Sequence, residues 1–275
     1  MLTREITAFR AHVRLMVKRI FYFLLARLGL RRLRGHSFFA TLLAKPAVVA
    51  DFGAHRGEFF AAVKAEHPVS WALLVEADPR LAESLKETFG NEADVVHAAV
   101  VGENNKGPVA FTCSANPESS SIFREWAAGS GIADQVDVPA IDLSNVIREL
   151  GGRVDLLKFD IEGAEVEVLQ TAGLSDLAAC CQLTVEFHDN MQSVARHDVG
   201  RLCQRMRCEG YGIVNANWPY VDDVCFVNLR GIAAGRRARF RCRMALINAL
   251  FVLRGAFFWS LRLLKRIQWN RLPLP

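Results

Sequence analysis

The sequence contains no Cys-x-x-Cys pair, and its cysteines, at positions 113, 180, 181, 203, 208, 225 and 242, are odd in number. That argues against a zinc ribbon or a disulfide framework and points to a reducing, cytoplasmic compartment. Neither end of the chain holds an uncharged run near the ~20 residues that a membrane-spanning helix needs. The start also lacks the clean polar lead and small-residue cleavage site of a signal peptide. Internal repeats and low-complexity segments are missing. No Gly-x-Gly-x-x-Gly follows the first predicted strand, which weakens a dinucleotide reading. Residues 230–275 carry no acidic residue at all.

What is present is a chain of 275 residues, 51% hydrophobic and 23% charged, long enough to bury a core without staples and too apolar to be disordered. Its net charge of +5 is unevenly spread. Residues 1–35 sum to +8, residues 36–229 to −14 and residues 230–275 to +11. The division this suggests is a basic amphipathic arm over 1–35, a body over 36–231 and a second basic, apolar arm over 232–275. In the first arm, Ile20 to Ala26 is apolar and flanked by Lys18, Arg19 and Arg27. In the second, Arg243, Arg254 and Lys265 recur every eleven residues, about three helical turns, and so form one stripe. Helices of this kind suit the surface of an anionic membrane, at its inner face. The plainer alternative is that the arms pack on each other, on the body, or across a homodimer. Their apolar runs fit lipid or protein better than nucleic acid, which is not expected as a partner.

Between the arms, apolar strands alternate with amphipathic helices. Strands are predicted at 47–51, 71–76, 94–101, 107–113, 136–141, 154–160, 181–188, 211–218 and 224–229. Helices are predicted at 57–67, 79–89, 142–150, 162–172 and 194–209, with a loop over 116–131. This pattern implies an α/β fold with a mainly parallel sheet covered by helices on both faces.

Two segments carry the chemistry. Asp51-Phe52-Gly53-Ala54-His55-Arg56-Gly57-Glu58 joins the first strand to the first helix. Gly53 lets the chain turn, and Gly57 lets a ligand or helix approach. Glu76, followed by Ala77 and Asp78, ends the second strand, where an acid can accept both hydroxyls of an adenosine ribose. An acid before the glycines repels pyrophosphate but suits a cationic donor such as S-adenosylmethionine. The second segment, Leu156-Leu157-Lys158-Phe159-Asp160-Ile161-Glu162-Gly163-Ala164-Glu165, ends a buried strand in an acid. Parallel sheets bind ligands at the carboxyl ends of their strands. Asp51, Glu76 and Asp160, together with Glu186-Phe187-His188-Asp189 after the next strand, therefore converge on one edge. Glu162 and Glu165 can also be read as partners of a helix dipole.

These runs, above all Lys158-x-Asp160-x-Glu162-Gly163-x-Glu165, resemble the FkbM-type methyltransferases over roughly residues 45–230. The resemblance implies the Rossmann-like, seven-stranded class I methyltransferase fold, S-adenosylmethionine as donor, and a hydroxyl acceptor on a sugar, glycan or small molecule. It also implies that Asp51, Gly53 and Gly57, with Ala54, His55 and Glu58 beside them, meet the methionine end. Glu76, Ala77 and Asp78 would meet the ribose, with His97 and Ala98 near the adenine. His55-Arg56 departs from the usual Asn followed by an aliphatic residue or Thr.

By residue type and strand position His188 is the favoured general base, with Asp160 and Glu186 as rivals. The same carboxylates with Asp189 could hold Mg²⁺. The metal-free route is favoured, because the acids are also needed for the donor. The Ser119–Ser121 loop could bind a polyhydroxylated acceptor. The competing functions are a nicotinamide-dependent oxidoreductase and a catalytically inactive membrane-surface scaffold.

Overall fold

A computed structural model describes residues 2–103, 105, 107–116, 120–128, 131–188 and 196–269. The chain opens with helix α1 (Leu2–Arg27) and the hairpin β1 (Leu30–Leu33) and β2 (His36–Phe39). Next come β3 (Ala47–Phe52), α2 (Glu58–Glu66), β4 (Val69–Glu76), α3 (Pro79–Phe89) and β5 (Asp94–His97). A region of short strands follows: β6 (Ala99–Val100), β7 (Val109–Ser114), α4 (Arg124–Ala128), β8 (Ile132–Val138) and β9 (Ala140–Ile141). The body continues with α5 (Leu143–Glu149), β10 (Leu156–Phe159), α6 (Glu165–Thr171), α7 (Leu174–Ala179) and β11 (Gln182–Val185). It ends with α8 (Arg196–Cys208), β12 (Tyr211–Asn215), β13 (Val224–Asn228) and α9 (Ala234–Trp269).

Seven strands form the main sheet in the order β12-β13-β11-β10-β3-β4-β5. All run parallel except β13, which is antiparallel to both of its neighbours. Successive residues of a strand point to opposite faces. Ala50, Phe52, Leu73 and Val75 thus enter the core beneath α5, α6 and α8, while Val49, Ala72 and Leu74 enter the one beneath α2 and α3. Burial on both faces is why these strands read as unbroken apolar runs. α3 starts where Asp78 accepts from the Arg80 N–H with Pro79 in the first turn, and Asp142 caps α5 through the Asn145 N–H at 2.8 Å.

Several elements differ from expectation. The run 94–101 is broken at Ala98, and β6 leaves the main sheet to pair with β9. β7 and β8 form an antiparallel pair of their own. The helix expected from Glu162 starts at Glu165, because Glu162 (φ 56°) and Gly163 (φ 111°) take values that a right-handed helix does not admit. α7 was not expected. Asp189 and Ser119 lie outside the described residues.

The first arm is not helical to residue 35. Its helix stops at Arg27, and Arg34 (φ 48°) and Gly35 (φ 94°) make the two-residue turn of the β1–β2 hairpin. That hairpin is latched to the body. The Phe39 N–H donates to Gln182 Oε1 at 2.8 Å, and the Ser37 N–H and hydroxyl donate to the buried Asp223 at 3.0 and 2.8 Å. In α9, Phe240, Met244, Ile247 and Phe251 follow helical spacing and bury against Val214 of the edge strand β12 and Cys225 and Val227 of its neighbour β13. The ring of Phe251 meets Phe21 of α1 edge-on at 5.1 Å, and the Arg254 guanidinium lies over the same Phe21 ring at 5.1 Å. The two arms therefore pack on each other and on the sheet. No described helix is long and apolar enough to cross a membrane. Phe251→Ala is expected to lower unfolding free energy by about 3–5 kcal/mol in urea titrations. A loss under ~1 kcal/mol would mean that α9 contributes little to the core.

Candidate functional site

A cavity of about 530 Å³ opens at the carboxyl edge of the sheet. That size falls within the range for small-molecule sites. Its floor is set by Lys158 on β10, which is buried beside Asp51 of β3 in the paired register. The Lys158 ammonium sits 3.1 Å from Asp51 Oδ1 and 3.5 Å from Asp160 Oδ2, and it donates to the Gly53 carbonyl at 2.8 Å. Burial alone would lower the lysine's pKa, but Asp51 and Asp160 push it up to about 12. Lys158 and the imidazoles of His36 and His188 in turn hold the Asp160 carboxyl well below its usual range, against the opposing effect of burial. Gly53 serves this same junction. A Cβ there would stand 1.7 Å from the Asp160 carbonyl oxygen, so only glycine lets the two loops close on each other.

Glu76, at the tip of β4, is buried and organises the first loop. One carboxylate oxygen accepts from the His55 N–H and the other from the Asp78 N–H, each at 2.8 Å. Burial raises its pKa, and those two hydrogen bonds pull the other way. A carboxylate has about four acceptor positions, so two remain for a ligand. Glu165 plays the matching part after β10. Its Oε1 accepts from the N–H groups of Ile161 and Gly163, both at 3.1 Å, and faces His188 Nδ1 at 2.9 Å.

Of the residues expected from the sequence to be catalytic or donor-binding, Gly53, Ala54, His55, Glu58, Glu76, Ala77, Ala98, Asp160 and Glu186 line the cavity. Five do not. Asp51 is fully buried under the floor as the partner of Lys158. Gly57 begins α2, and its Cα faces Phe89 and Leu85 of α3, so its small size serves helix packing. Asp78 is a buried helix cap paired with Arg80. His97 reaches the Ala77 carbonyl at 3.1 Å. His188 lies behind the wall among Glu165, Glu162 and Asp160, at 2.9, 3.4 and 3.8 Å. Burial would lower its pKa, but these carboxylates raise it to about 10. These surroundings favour the charged ring, which counts against His188 as the base.

Besides His55, a second histidine lines the cavity, His36, which the sequence gave no reason to select. Its Nε2 lies 3.6 Å from Asp160 Oδ2 and 4.0 Å from Glu186 Oε2. Arg34, ion-paired with Glu58, comes to the wall on the same hairpin. The Arg34-Gly35 pair suggests a turn, but nothing in the flanking Leu-Arg-Arg-Leu and His-Ser-Phe-Phe marks His36 as a site residue. Leu81, Phe111 and Ile122 supply an apolar end next to Ala77 and Ala98.

A family model described as the methyltransferase FkbM domain matches residues 51–213. No curated protein is matched by the sequence. Among solved structures, a methyltransferase FkbM from Methylobacillus flagellatus KT is 17% identical, with a TM-score of 0.45 over 69% of this chain and 46% of that one. This chain thus spans just under half of that protein. A putative tRNA (m1A22) methyltransferase from Streptococcus pneumoniae is 10% identical, with a TM-score of 0.40 over 86% of both chains. TrmK from M. capricolum, in complex with S-adenosyl-homocysteine, is 11% identical, with a TM-score of 0.37 over 72% of this chain and 71% of that one.

The charge state of His188 is open to measurement. With a pKa of about 10 against an ordinary 6.5, its ion pairs contribute stability fully below pH 6.5 and lose it as pH rises through 10. Ring-nitrogen NMR at pH 7.5 is expected to find both nitrogens protonated. A neutral His188 ring at that pH would overturn the assignment.

Proposed function

The chain belongs to the FkbM methyltransferase family, and we propose that it transfers a methyl group from S-adenosylmethionine to a hydroxyl of a sugar or glycan. The observation that carries this reading is one cavity with an apolar end and an acidic end. Leu81, Ala98, Phe111 and Ile122 offer a slot for a purine, and the spare acceptor positions of Glu76 suit ribose hydroxyls beside it. Asp160, Glu162 and Glu186 line the other end and suit a cationic donor. The same carboxylates would repel a pyrophosphate, which disfavours a nicotinamide dinucleotide.

When bound, S-adenosylmethionine supplies a methyl carbon on a sulfonium that departs as a neutral thioether. The chain's part is to align the acceptor oxygen with that carbon, exclude water and take charge of the proton. As the O–C bond forms, the sulfur keeps the electron pair of the broken C–S bond. The hydroxyl proton passes to water at the acidic end of the cavity. Arg34, Ser120 and Glu186 on the wall offer donors and acceptors to a polyhydroxylated substrate.

In the same reading the acceptor is carried at an anionic membrane surface. The support is the exposed Ile20, Phe23 and Leu253 on basic helices α1 and α9. Sedimentation with vesicles containing anionic lipid is the test. Phe23→Glu combined with Leu253→Glu should release the protein, and unchanged sedimentation would place the contact elsewhere. Removing α9 whole would not serve, since it forms part of the core.

The donor assignment is tested by calorimetry with S-adenosylhomocysteine. Glu76→Ala is expected to weaken binding by about tenfold or more, as loss of charge-assisted hydrogen bonds demands. Absence of saturable binding to the unaltered protein would refute the reading.

A further inference from the structure

We propose that His36, Asp160 and Glu186 form a divalent-cation site at the acidic end of the cavity. The claim that an ion binds rests on these three side chains. What the ion would act on rests on the methyltransferase reading above.

The ligand atoms of the three residues all lie within 4.8 Å of one another. The separations from His36 Nε2, 3.6 Å to Asp160 Oδ2 and 4.0 Å to Glu186 Oε2, are longer than the ~2.7–3.2 Å of a hydrogen bond. They suit donors arranged around a shared centre. Metal–ligand bonds of ~2.1 Å place neighbouring ligands roughly 3 Å apart and opposite ones roughly 4.2 Å apart. One imidazole with two carboxylates is a donor set for Mn²⁺, Fe²⁺ or Zn²⁺.

His36 sets this cluster apart from an ordinary group of surface acids. It is only 2% exposed, yet it lines the cavity and directs Nε2 at both carboxylates. Its ring lies edge-on to Phe59 at 5.4 Å. The backbone is fixed from the next residue, because Ser37 is held twice by Asp223. The neighbouring group of Asp160, Glu162 and His188 also lies within metal-binding distances. There, however, His188 is already held between Glu165 and Glu162, at 2.9 and 3.4 Å. Lys158 shares Asp160 Oδ2 at 3.5 Å and keeps the site from being a tight structural one. The cavity leaves the ion's remaining positions open to water or an acceptor hydroxyl. As a Lewis acid the ion would lower the pKa of that hydroxyl, with its proton passing to water.

The test uses the full chain after chelator treatment, with Mn²⁺ alone as the probe and electron paramagnetic resonance to count free ion. One Mn²⁺ per chain is expected, with a dissociation constant in the micromolar range. His36→Ala should weaken it by about tenfold or more while S-adenosylhomocysteine binding is retained. Glu186→Gln, at a half-exposed position that the core does not depend on, should weaken Mn²⁺ binding by a similar factor and guards against a fold defect in the first variant. Absence of binding up to ~1 mM, where only weak contact free energy remains, would overturn the proposal. So would an affinity unchanged in both variants. Failure of S-adenosylhomocysteine to bind the unaltered protein would count against the donor reading instead and leave the ion site standing or falling on its own titration.

Discussion

The ammonium of Lys158 is the constraint on which the rest of the site depends. A charge buried at 4% exposure is tolerable only if its partners are supplied, and here they come from two strands at once. Asp51 meets it from β3 below and Asp160 from the tip of β10, while it donates to the Phe52 and Gly53 carbonyls at 3.3 and 2.8 Å. Loss of one member of such a buried pair costs about 3–5 kcal/mol, because the other is left uncompensated. The loop after β3 and the loop after β10 therefore behave as one unit. Gly53 allows them to touch, and the acids on the cavity wall inherit their positions from that contact.

Both ends of the chain complete this body. The family match stops at residue 213, before β13 and α9, and begins after the β1–β2 hairpin. Yet α9 covers the β12–β13 edge, and α1 leans on α9 through Phe21. The hairpin, locked by Asp223 and Gln182, brings Arg34 and His36 to the cavity. The basic charge of the ends and their packing are compatible, because the buried stripe of α9 uses only one side of the helix. Arg254 joins the two roles by lying over the Phe21 and Tyr22 rings.

Two imidazoles approach Asp160, and their surroundings give them different tasks. His188 sits among three carboxylates with Glu165 fully buried, surroundings that favour its charged form and tie it to the loop over residues 160–163. His36 meets two carboxylates at longer range and faces open space. Strand position alone favoured His188. The number and distance of neighbouring charges, which depend on how loops fold back, favour His36.

The alternation of apolar strands and amphipathic helices was enough to determine the parallel sheet, because strands buried on both faces must be apolar throughout. It also placed Glu76 and Asp160 at strand tips on one edge, since parallel strands end on the same side. Four-residue strands such as β1 and β2 give too few residues for a period to show, so the hairpin was not legible; the strands near 94–101, 107–113 and 136–141 were, but not that β6–β9 and β7–β8 pair apart from the main sheet. Nor could the sequence tell wall from floor: Asp51 and Asp160 are both acids at strand ends, and only the depth of Lys158 between them buries one fully and leaves the other partly open to the cavity. His36 stands 124 residues before Asp160 with no local pattern to mark it. Tertiary packing alone brought them together, because a cavity is enclosed by whichever segments fold across it and not by neighbours along the chain.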